Sequence, residues 1–244
     1  MDQNVVDFVD RIKTTFDLEG LRSQFADVAS DFGFSKFAYL GIHLPGAHED
    51  RPLLLSTYPV GWTDYYMDRS YHTVDPVVTN ASRSVVPFVW GTTEMTNQLS
   101  GKQKLLFNEA NEFGIRCGFT VPIHGHGGQF AGVTISTEER DDSFLSKIKK
   151  YQHELHIMAL HYHAQIAKTL DRDSPETHSI SLTDREIECL LWATRGKTAW
   201  ETAEIIGVAQ STIVFHLRNA KQKLGVYTIN HAVVKAIVLN LIHP

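Results

Sequence analysis

The stretch that decides the fold of the C-terminal part covers residues 182–224 and reads LTDREIECLLWATRGKTAWETAEIIGVAQSTIVFHLRNAKQKL. Thr183 near its start stands three residues before Glu186, which is the pattern of a capping box at the beginning of a helix. The helix is predicted to run to about Thr194 and to stop near Gly196. The C-terminal part therefore begins with one capped helix.

Two further helices are predicted after this one, over Ala199–Ile206 and over residues 211–224. Gly207 follows the second helix, where a left-handed backbone conformation costs a glycine little. Ala203 and Ile213 fit a close crossing of the two helices, because the first then needs a small residue and the second a branched apolar one. Two helices joined in this way form a helix-turn-helix, a unit that binds DNA in many proteins.

The last of these helices has an apolar face and a mixed polar face. The side chains expected to face the domain core are Ile213, Leu217, Ala220 and Leu224. Those expected to face outward are Ser211, Val214, Phe215, Arg218, Lys221 and Gln222. A recognition helix that enters the DNA major groove is built in this way. A helical hairpin used only for packing is the alternative interpretation of this spacing taken by itself.

A longer pattern connects these elements to a family. It comprises Leu-Thr-x-Arg-Glu-x-Glu at 182–188, Gly-Lys-Thr at 196–198, Trp-Glu at 200–201 and Ser-Thr-Ile-x-x-His at 211–216, and it continues through Asn219, Ala220, Lys223 and Leu224. This pattern resembles the LuxR-type helix-turn-helix over about 60 residues. The resemblance implies that Val214, Phe215 and Arg218 face DNA bases. It also implies phosphate contacts from Thr198, Ser211, Thr212, His216 and Lys221.

Three positions depart from that pattern. Val214 stands where many members carry lysine, which removes one cation from the face toward the groove. Ala209 replaces a usual serine, and Thr228 with Ile229 replaces a common Asn-Arg pair. We expect these departures to affect affinity and base preference rather than the fold.

The composition limits the classes of protein to be considered. Of the 244 residues, 43% are hydrophobic and 21% charged, which is typical of a globular protein. The start of the chain has no signal-peptide pattern, and no apolar run approaches the roughly 18 residues that span a bilayer. Because no spanning segment is predicted, no membrane partner is expected. Only two cysteines occur, Cys117 and Cys189, so a disulfide scaffold is not expected and the expected location is the reducing cytoplasm.

The charge and the polar segments indicate two domains. The net charge is −5, yet from Ser179 onward seven basic residues outnumber five acidic ones, which permits DNA binding without establishing it. Residues 171–178 are polar and include Pro175, which is typical of a linker. We therefore predict a ligand-binding domain over 1–170, a linker over 171–178 and a helix-turn-helix domain over 179–244.

The first 170 residues alternate strand signals with helical ones. Strands are predicted over 37–44, 53–58, 85–90, 118–124 and 130–137, and helices over 5–16, 18–32, 62–70, 77–81, 102–113 and 143–170. The last two strands flank the glycine-rich segment 124–129, so they should be antiparallel neighbours. The expected fold class is α+β: an N-terminal α/β/α sandwich with an antiparallel sheet, plus a small all-α helix-turn-helix domain. Such a sandwich can enclose an apolar ligand between its layers.

A second resemblance concerns these N-terminal residues. The residues that carry it are Tyr58–Pro59, Trp62, Tyr66, Asp75–Pro76, Trp90 and Gly118. In order and spacing they resemble the acyl-homoserine-lactone-binding domain of quorum-sensing LuxR-type receptors. A phosphorylation-dependent response regulator is disfavoured, since the first strand runs into Pro45 and Gly46 rather than into an acidic pair.

The residue chemistry suits such a ligand, whose buried polar groups each need a partner. We expect Asp75 to accept from the amide N–H, Trp90 to donate to the lactone carbonyl and Tyr58 to donate to the acyl carbonyl. Thr134 could bridge to the amide or to a nearby acyl oxygen. The expected walls of the acyl tail are Trp62 and Tyr66, with Val77, Met95, Leu40, Ile42 and Leu106 as looser candidates. Taken singly, these residues are ordinary core, turn and strand residues; only their combination indicates a site.

The remaining predictions concern ligand selectivity, binding partners and competing classes of protein. An apolar pair at Val77 and Met95 would favour an acyl chain without a 3-oxo group. The expected partners are operator DNA, bound by a homodimer, and RNA polymerase. No catalytic residue, cofactor or metal is expected, although His153, His156, His161 and His163 cluster on one predicted helix. An enzyme, a receptor for a non-lactone acyl or aryl compound, and a ligand-independent repressor remain the alternatives.

Overall fold

The structure of the chain is a computed structural model that describes residues 2–44, 52–125, 128–138, 142–172 and 180–244. Outside these ranges lie Pro45 and Gly46, His126 of the predicted turn, and residues 173–178 of the predicted linker. The chain divides into two compact units, and each is described by itself. No helix in the described ranges is both long enough and apolar enough to cross a membrane.

The first unit is built on a five-stranded antiparallel sheet. Its strands are β1 (Lys36–Ile42), β2 (Leu53–Ser56), β3 (Phe88–Trp90), β4 (Cys117–His124) and β5 (Phe130–Thr137), in the order β2-β1-β5-β4-β3. All five predicted strands are confirmed, and β4 pairs with β5 as expected. Strand β3 is shorter than predicted, because Pro87 has no N–H to donate and Val85 and Val86 before it are exposed.

Helices cover both faces of this sheet. They are α1 (Gln3–Ile12), α2 (Leu18–Asp31), α3 (Val60–Asp68), α4 (Pro76–Ala81), α5 (Thr93–Asn97), α6 (Gly101–Glu112) and α7 (Asp142–Arg172), with a 3-10 turn at Tyr71–Thr73. The predicted α/β/α sandwich is confirmed. Two helix boundaries differ from the prediction: α1 ends at Ile12 rather than at residue 16, and α7 continues through Asp171 and Arg172, which the linker prediction had included.

The two faces of the sheet have different surroundings, since neighbouring residues of a strand point to opposite sides. The face with Phe37, Phe119 and Val133 belongs to a closed aromatic and aliphatic core with helices α1, α2 and α7. In this core the ring of Phe25 lies 4.6 Å from that of Tyr162 on α7. The opposite face is covered by α3, α4 and α6 and encloses a cavity.

The second unit is a small helical domain. Its helices are α8 (Asp184–Thr194), α9 (Ala199–Ile206), α10 (Gln210–Lys223) and α11 (Ile229–Val238). The three predicted helices are confirmed, and Gly207 ends α9 with φ 75° in the left-handed region, as predicted. The side chains of Ile213, Leu217, Ala220 and Leu224 are buried in one core, so the predicted inner face of α10 is confirmed as well.

A buried carboxylate ties two of these helices together. Thr183 and Glu186 form the predicted capping box at the start of α8. The Glu186 carboxylate accepts a hydrogen bond from the Thr183 amide at 2.8 Å and one from Lys223 Nζ, at the end of α10, also at 2.8 Å. Burial alone would raise the pKa of Glu186, but the Lys223 ammonium and the Thr183 amide outweigh it and hold that pKa below its ordinary value.

Glu186→Gln should destabilise this domain, because glutamine keeps the capping geometry but leaves Lys223 without its anion. We expect a loss of about 1–3 kcal/mol in the free energy of unfolding near pH 7. The lowered pKa means that this contribution is present above the ordinary carboxyl pKa and is lost as the pH falls through the folded-state value. Urea unfolding of the full chain across acidic pH measures both effects.

The matched control is Glu188→Gln, two residues further along α8. Glu188 also pairs with a cation, Arg185, but this ion pair lies at the surface. This change should alter the free energy of unfolding by about 0.5 kcal/mol or less. Equal losses in both variants would contradict the role assigned to the pair of Glu186 and Lys223.

Candidate functional site

The candidate ligand site is the cavity of about 100 Å³ between the sheet and helices α3, α4 and α6. This volume is well above the roughly 10–15 Å³ that one water molecule needs, so the cavity has room for a small molecule. Seven of the eight predicted ligand residues line it: Tyr58, Trp62, Tyr66, Asp75, Val77, Trp90 and Thr134. The structure thus brings together residues that are up to 76 positions apart in the chain.

Asp75 is fixed by its place at the N-cap of α4. Its Oδ1 accepts from the Val77 amide at 2.7 Å, and its Oδ2 accepts from the Tyr66 hydroxyl at 2.9 Å. Pro76 occupies the first position of the helix, where no N–H is needed. The carboxylate therefore has one orientation, and its two oxygens still have lone pairs for a further donor.

The enclosure of Asp75 affects its ionisation. Burial raises the pKa of this carboxyl group above its ordinary value, and the hydrogen bonds from Val77, Tyr66 and Val78 offset only part of that rise. Burial likewise raises the pKa of Tyr66, next to the same carboxylate, so that this hydroxyl remains a donor. A donor placed in the cavity would favour the charged form of Asp75.

Trp62 is held by surrounding rings. It lies on α3 four residues before Tyr66, on the same helix face, and is only 4% exposed. Its ring centroid lies 5.4 Å from that of Phe113, 5.8 Å from that of Tyr66 and 6.4 Å from that of Tyr71. Among the described residues, none accepts a hydrogen bond from its indole N–H.

Trp90, by contrast, has its indole N–H occupied within the protein. The N–H donates to Thr120 Oγ1 at 3.0 Å, and Thr120 Oγ1 lies 2.8 Å from Thr134 Oγ1. The Trp90 ring packs over Gly118, where an added Cβ would lie 2.5 Å from it. Trp90 could donate to a ligand carbonyl, as predicted, only by giving up its bond to Thr120.

Thr120 is a site residue that the sequence analysis missed. It is 1% exposed and pairs directly with Thr134 across β4 and β5. A signal was available, because the predicted hairpin places residues 120 and 134 at equal distances from its turn. The walls contributed by Phe107, Ala110 and Ile115 had no comparable signal, since they depend on how α6 packs.

The Tyr58 hydroxyl lies at the same end of the cavity. It interacts with the buried hydroxyl of Ser136, which lowers the pKa of Tyr58, but the larger effect of burial raises it. Tyr58 therefore stays protonated near neutral pH and is a donor. Together with Asp75, Trp62 and Thr134 it forms the polar part of the cavity lining.

The sheet residues that line the cavity are polar at one end and apolar at the other. Ala38, Thr134 and Thr120 lie side by side on β1, β5 and β4, so one row of the floor carries two hydroxyls. The next row has Leu54, Leu40 and Gly132, and Phe130 follows it. One end of the cavity is thus polar and the other apolar, which suits an amphipathic occupant.

Two of the predicted contacts are not part of this lining. Met95 does not border the cavity: it lies on α5, and its sulfur accepts from the Gly91 amide at 3.4 Å. Ile42, a looser candidate, is not among the lining residues either, whereas Leu40 and Leu106 are. Of the apolar pair that was expected to select an acyl chain without a 3-oxo group, only Val77 therefore borders the cavity.

The outer face of α10 is the candidate DNA surface. Val214 is 51% exposed and Phe215 49% exposed, while Arg218 lies over the Phe215 ring at 5.7 Å. Helix α10 carries Arg218, Lys221 and Lys223 and no acidic residue. An arginine can bond the edge of guanine and an apolar side chain can contact the methyl group of thymine, so this surface is able to contact base edges.

The predicted phosphate contacts differ in their present partners. Ser211 is exposed on the first turn of α10, and Thr212 and His216 are partly exposed. The Thr198 hydroxyl is the N-cap of α9 and is bonded to Glu201, while Lys221 Nζ donates to the Tyr227 carbonyl at 3.2 Å. Those two groups would have to exchange or share their partners to reach DNA.

Comparison with known families gives two matches that together cover most of the chain. Residues 17–166 match the autoinducer binding domain, and residues 180–236 match the bacterial regulatory proteins of the luxR family. The first match contains the cavity described above, and the second contains all three helices of the predicted helix-turn-helix.

A curated relative agrees with both matches over nearly the whole chain. The transcriptional activator protein BjaR1 of Bradyrhizobium diazoefficiens is 35% identical over 214 residues, which is 87% of this chain and 85% of that protein.

Solved structures with the same fold include SdiA of Escherichia coli, with a TM-score of 0.76, 19% identity and coverage of 98% of both chains. SdiA in complex with octanoyl-rac-glycerol has a TM-score of 0.70, 18% identity and coverage of 98% and 96%. CepR2 of Burkholderia cenocepacia, described as an N-acylhomoserine lactone dependent LuxR family factor, has a TM-score of 0.57 and 19% identity over 69% of this chain and 96% of that one.

The cavity with its polar end, the exposed basic face of α10 and the two family matches lead to one assignment. The chain belongs to the LuxR family of quorum-sensing transcriptional regulators, with an autoinducer-binding domain followed by a DNA-binding helix-turn-helix domain.

Proposed function

We propose that the autoinducer is an N-acyl-homoserine lactone, which occupies the cavity of the first unit and controls binding of operator DNA by a homodimer. The observation that carries the proposal is the separation of the lining into a polar end, around Asp75, and an apolar end, around Phe130. An acylated lactone has the same division, with one N–H and two carbonyls in its head and hydrocarbon in its tail.

The head of the ligand would be held by one acceptor and three donors. Asp75 accepts from the amide N–H, Tyr58 and Thr134 donate to the acyl carbonyl, and Trp62 donates to the lactone carbonyl. We assign this last role to Trp62 rather than to Trp90, because the Trp90 N–H already donates to Thr120. Trp90 then orients Thr134 through Thr120 and packs against the ring of the ligand.

Binding would act through stability. Without ligand, the hydrogen bonds from Val77, Val78 and Tyr66 offset only part of the cost of burying the Asp75 carboxylate, and the cavity lining lacks packing partners. A ligand that supplies both shifts the population toward the folded, dimer-forming state. The homodimer then presents two α10 helices to a two-fold symmetric operator with half-sites about one helical turn apart.

We further propose that the DNA-bound homodimer acts on RNA polymerase in the cytoplasm. We also propose a ligand domain over residues 1–172, which extends the predicted 1–170 to the end of α7, a linker over 173–178 and a DNA-binding domain over 179–244. No role in catalysis is proposed, in keeping with relatives that are transcriptional regulators.

A second candidate ligand is an acyl compound without a lactone ring. The observation that favours it is the description of SdiA, which has the same fold, in complex with octanoyl-rac-glycerol. An acyl glycerol has a carbonyl for Tyr58 and Thr134, and its hydroxyl groups could donate to Asp75, but it has neither the amide N–H nor the ring carbonyl of a lactone. The relative affinities for the two compounds therefore distinguish the candidates.

Asp75→Asn should weaken binding of hexanoyl-homoserine lactone roughly 10- to 100-fold, because the hydrogen bond to a charged acceptor is lost. In the parent chain, affinity should fall as the pH is lowered toward the raised pKa of Asp75, since the protonated form accepts poorly. In the variant this dependence should be flat. The measurement is the ligand-induced shift in thermal unfolding of the full chain between pH 7 and pH 5.

Asp68→Asn, an exposed change on α3, is the matched control and should behave as the parent chain does. If Asp75→Asn binds the lactone as tightly as the parent chain, the proposed contact is wrong. Tighter binding of octanoyl-rac-glycerol than of any lactone would favour the second candidate.

Trp62→Phe should remove the preference for a lactone over the matching N-cyclopentyl amide, which lacks the ring carbonyl. A neutral hydrogen bond of about 1 kcal/mol corresponds to roughly fivefold in affinity. Trp90→Phe should lower affinity for both compounds while keeping the preference. Calorimetric titration of both compounds into both variants tests the assignment, and the reverse pattern would restore Trp90 as the lactone donor.

Arg218→Ala should weaken operator binding by about 1–3 kcal/mol and relax base preference at one position of each half-site. Lactone affinity should not change. The control Lys102→Ala removes an exposed cation from α6 in the first unit and should leave operator affinity unaltered. Operator binding measured by fluorescence anisotropy at several salt concentrations is the test; an Arg218 variant with parental affinity for its operator would remove this residue from the DNA surface.

A further inference from the structure

The segment of residues 60–81 covers the cavity on the side opposite the sheet and contains α3, the 3-10 turn and α4. It carries Trp62, Tyr66 and Asp75, which line the polar end. Two hydrogen bonds join its parts: the Tyr66 hydroxyl donates to the Asp75 carboxylate, and the Asp75 amide donates to the Tyr71 carbonyl at 2.9 Å. These bonds connect the two helices and the turn into one unit.

This unit has few polar contacts with its surroundings. Within the described part of the chain, no backbone hydrogen bond joins residues 60–81 to the sheet or to another helix. The side-chain hydrogen bonds that cross its boundary there all involve α6. Glu109 accepts from the Tyr65 hydroxyl at 2.9 Å and also from the Tyr71 hydroxyl. Gln103 donates to the backbone carbonyl of residue 74 at 3.4 Å, so the stronger attachment is the one at Glu109.

Glu109 makes this attachment from outside the cavity. Its neighbour Ala110 lines the cavity, whereas Glu109 does not and is partly exposed. The Tyr71 ring, which it holds, lies 6.4 Å from the Trp62 ring and 6.0 Å from the Tyr66 ring. A change at Glu109 therefore leaves the cavity lining intact and weakens only the attachment of the segment that carries Trp62 and Tyr66.

We propose that residues 60–81 form a lid over the ligand cavity and that Glu109 is a positioning residue that holds this lid shut. The proposal rests on the proposed function. The ligand enters and leaves while the lid is open, and the shut lid places Trp62 and Asp75 against the ligand head. As long as the shut form predominates, Glu109 changes the rates of entry and exit by the same factor and leaves the affinity almost unchanged.

Glu109→Gln keeps the size of the side chain but offers the two tyrosine hydroxyls an uncharged partner. Association and dissociation of hexanoyl-homoserine lactone should both become about tenfold faster, with an equilibrium Kd within about twofold of the parent value. Stopped-flow tryptophan fluorescence of the full chain measures both rates, because Trp62 and Trp90 line the cavity. A residue that only supported the fold would change dissociation and affinity without faster association.

Glu112→Gln, an exposed change on the same helix, is the matched control and should leave both rates unchanged. Tyr65→Phe removes one of the two donors to Glu109 but keeps its ring, and it should accelerate both rates about threefold. This second variant tests the lid even if Glu109→Gln fails to fold.

Amide hydrogen exchange of the ligand-free full chain tests the lid without a ligand. In Glu109→Gln, residues 60–81 should exchange about tenfold faster than in the parent chain, and β4 and β5 at the parental rate. This pattern in a chain that binds no lactone would support the lid while removing the proposed ligand. Parental exchange over 60–81 in both Glu109→Gln and Tyr65→Phe would overturn the lid, as would weaker lactone affinity with unchanged association.

Discussion

The enclosed carboxylate of Asp75 is the constraint on which the ligand site depends. It is held at the start of α4 by the Val77 amide and by the Tyr66 hydroxyl, in surroundings that raise its pKa. An ionised carboxylate in such a place is costly unless donors satisfy it. A further donor from a ligand lowers that cost, so ligand binding in the cavity is coupled to the stability of the domain.

The rest of the first unit serves to keep that carboxylate enclosed and to place donors opposite it. The aromatic rings around Trp62 fix one donor, and the chain from Trp90 through Thr120 to Thr134 fixes another. On the other face of the sheet, the closed core with α1, α2 and α7 supports the strands that carry these residues. Ligand specificity then depends on the side chains that line the cavity above this sheet.

Much of this arrangement could be predicted from the sequence, and the exceptions have physical reasons. Runs of strand-forming residues bounded by turn residues predicted the five strands, and glycine, capping and periodicity signals predicted three of the four helices of the second unit; α11 was missed. Helix α5 was missed because it is a single capped turn of five residues with no apolar period. The cavity lining depends on how helices pack, so the sequence did not show that Met95 lies outside it. Thr120 was overlooked although its pairing with Thr134 follows from the predicted hairpin. Hydrogen bonds within the site, such as that of Trp90, have no trace in sequence spacing.

The most direct test of this account is native mass spectrometry of the full chain, purified from cells supplied with an equimolar mixture of acyl-homoserine lactones of different acyl chain length. We predict one lactone per chain, released intact on denaturation, and no lactone on an Asp75→Asn chain. A chain that carries no small molecule, or only an acyl compound without an amide and a lactone ring, would contradict the account.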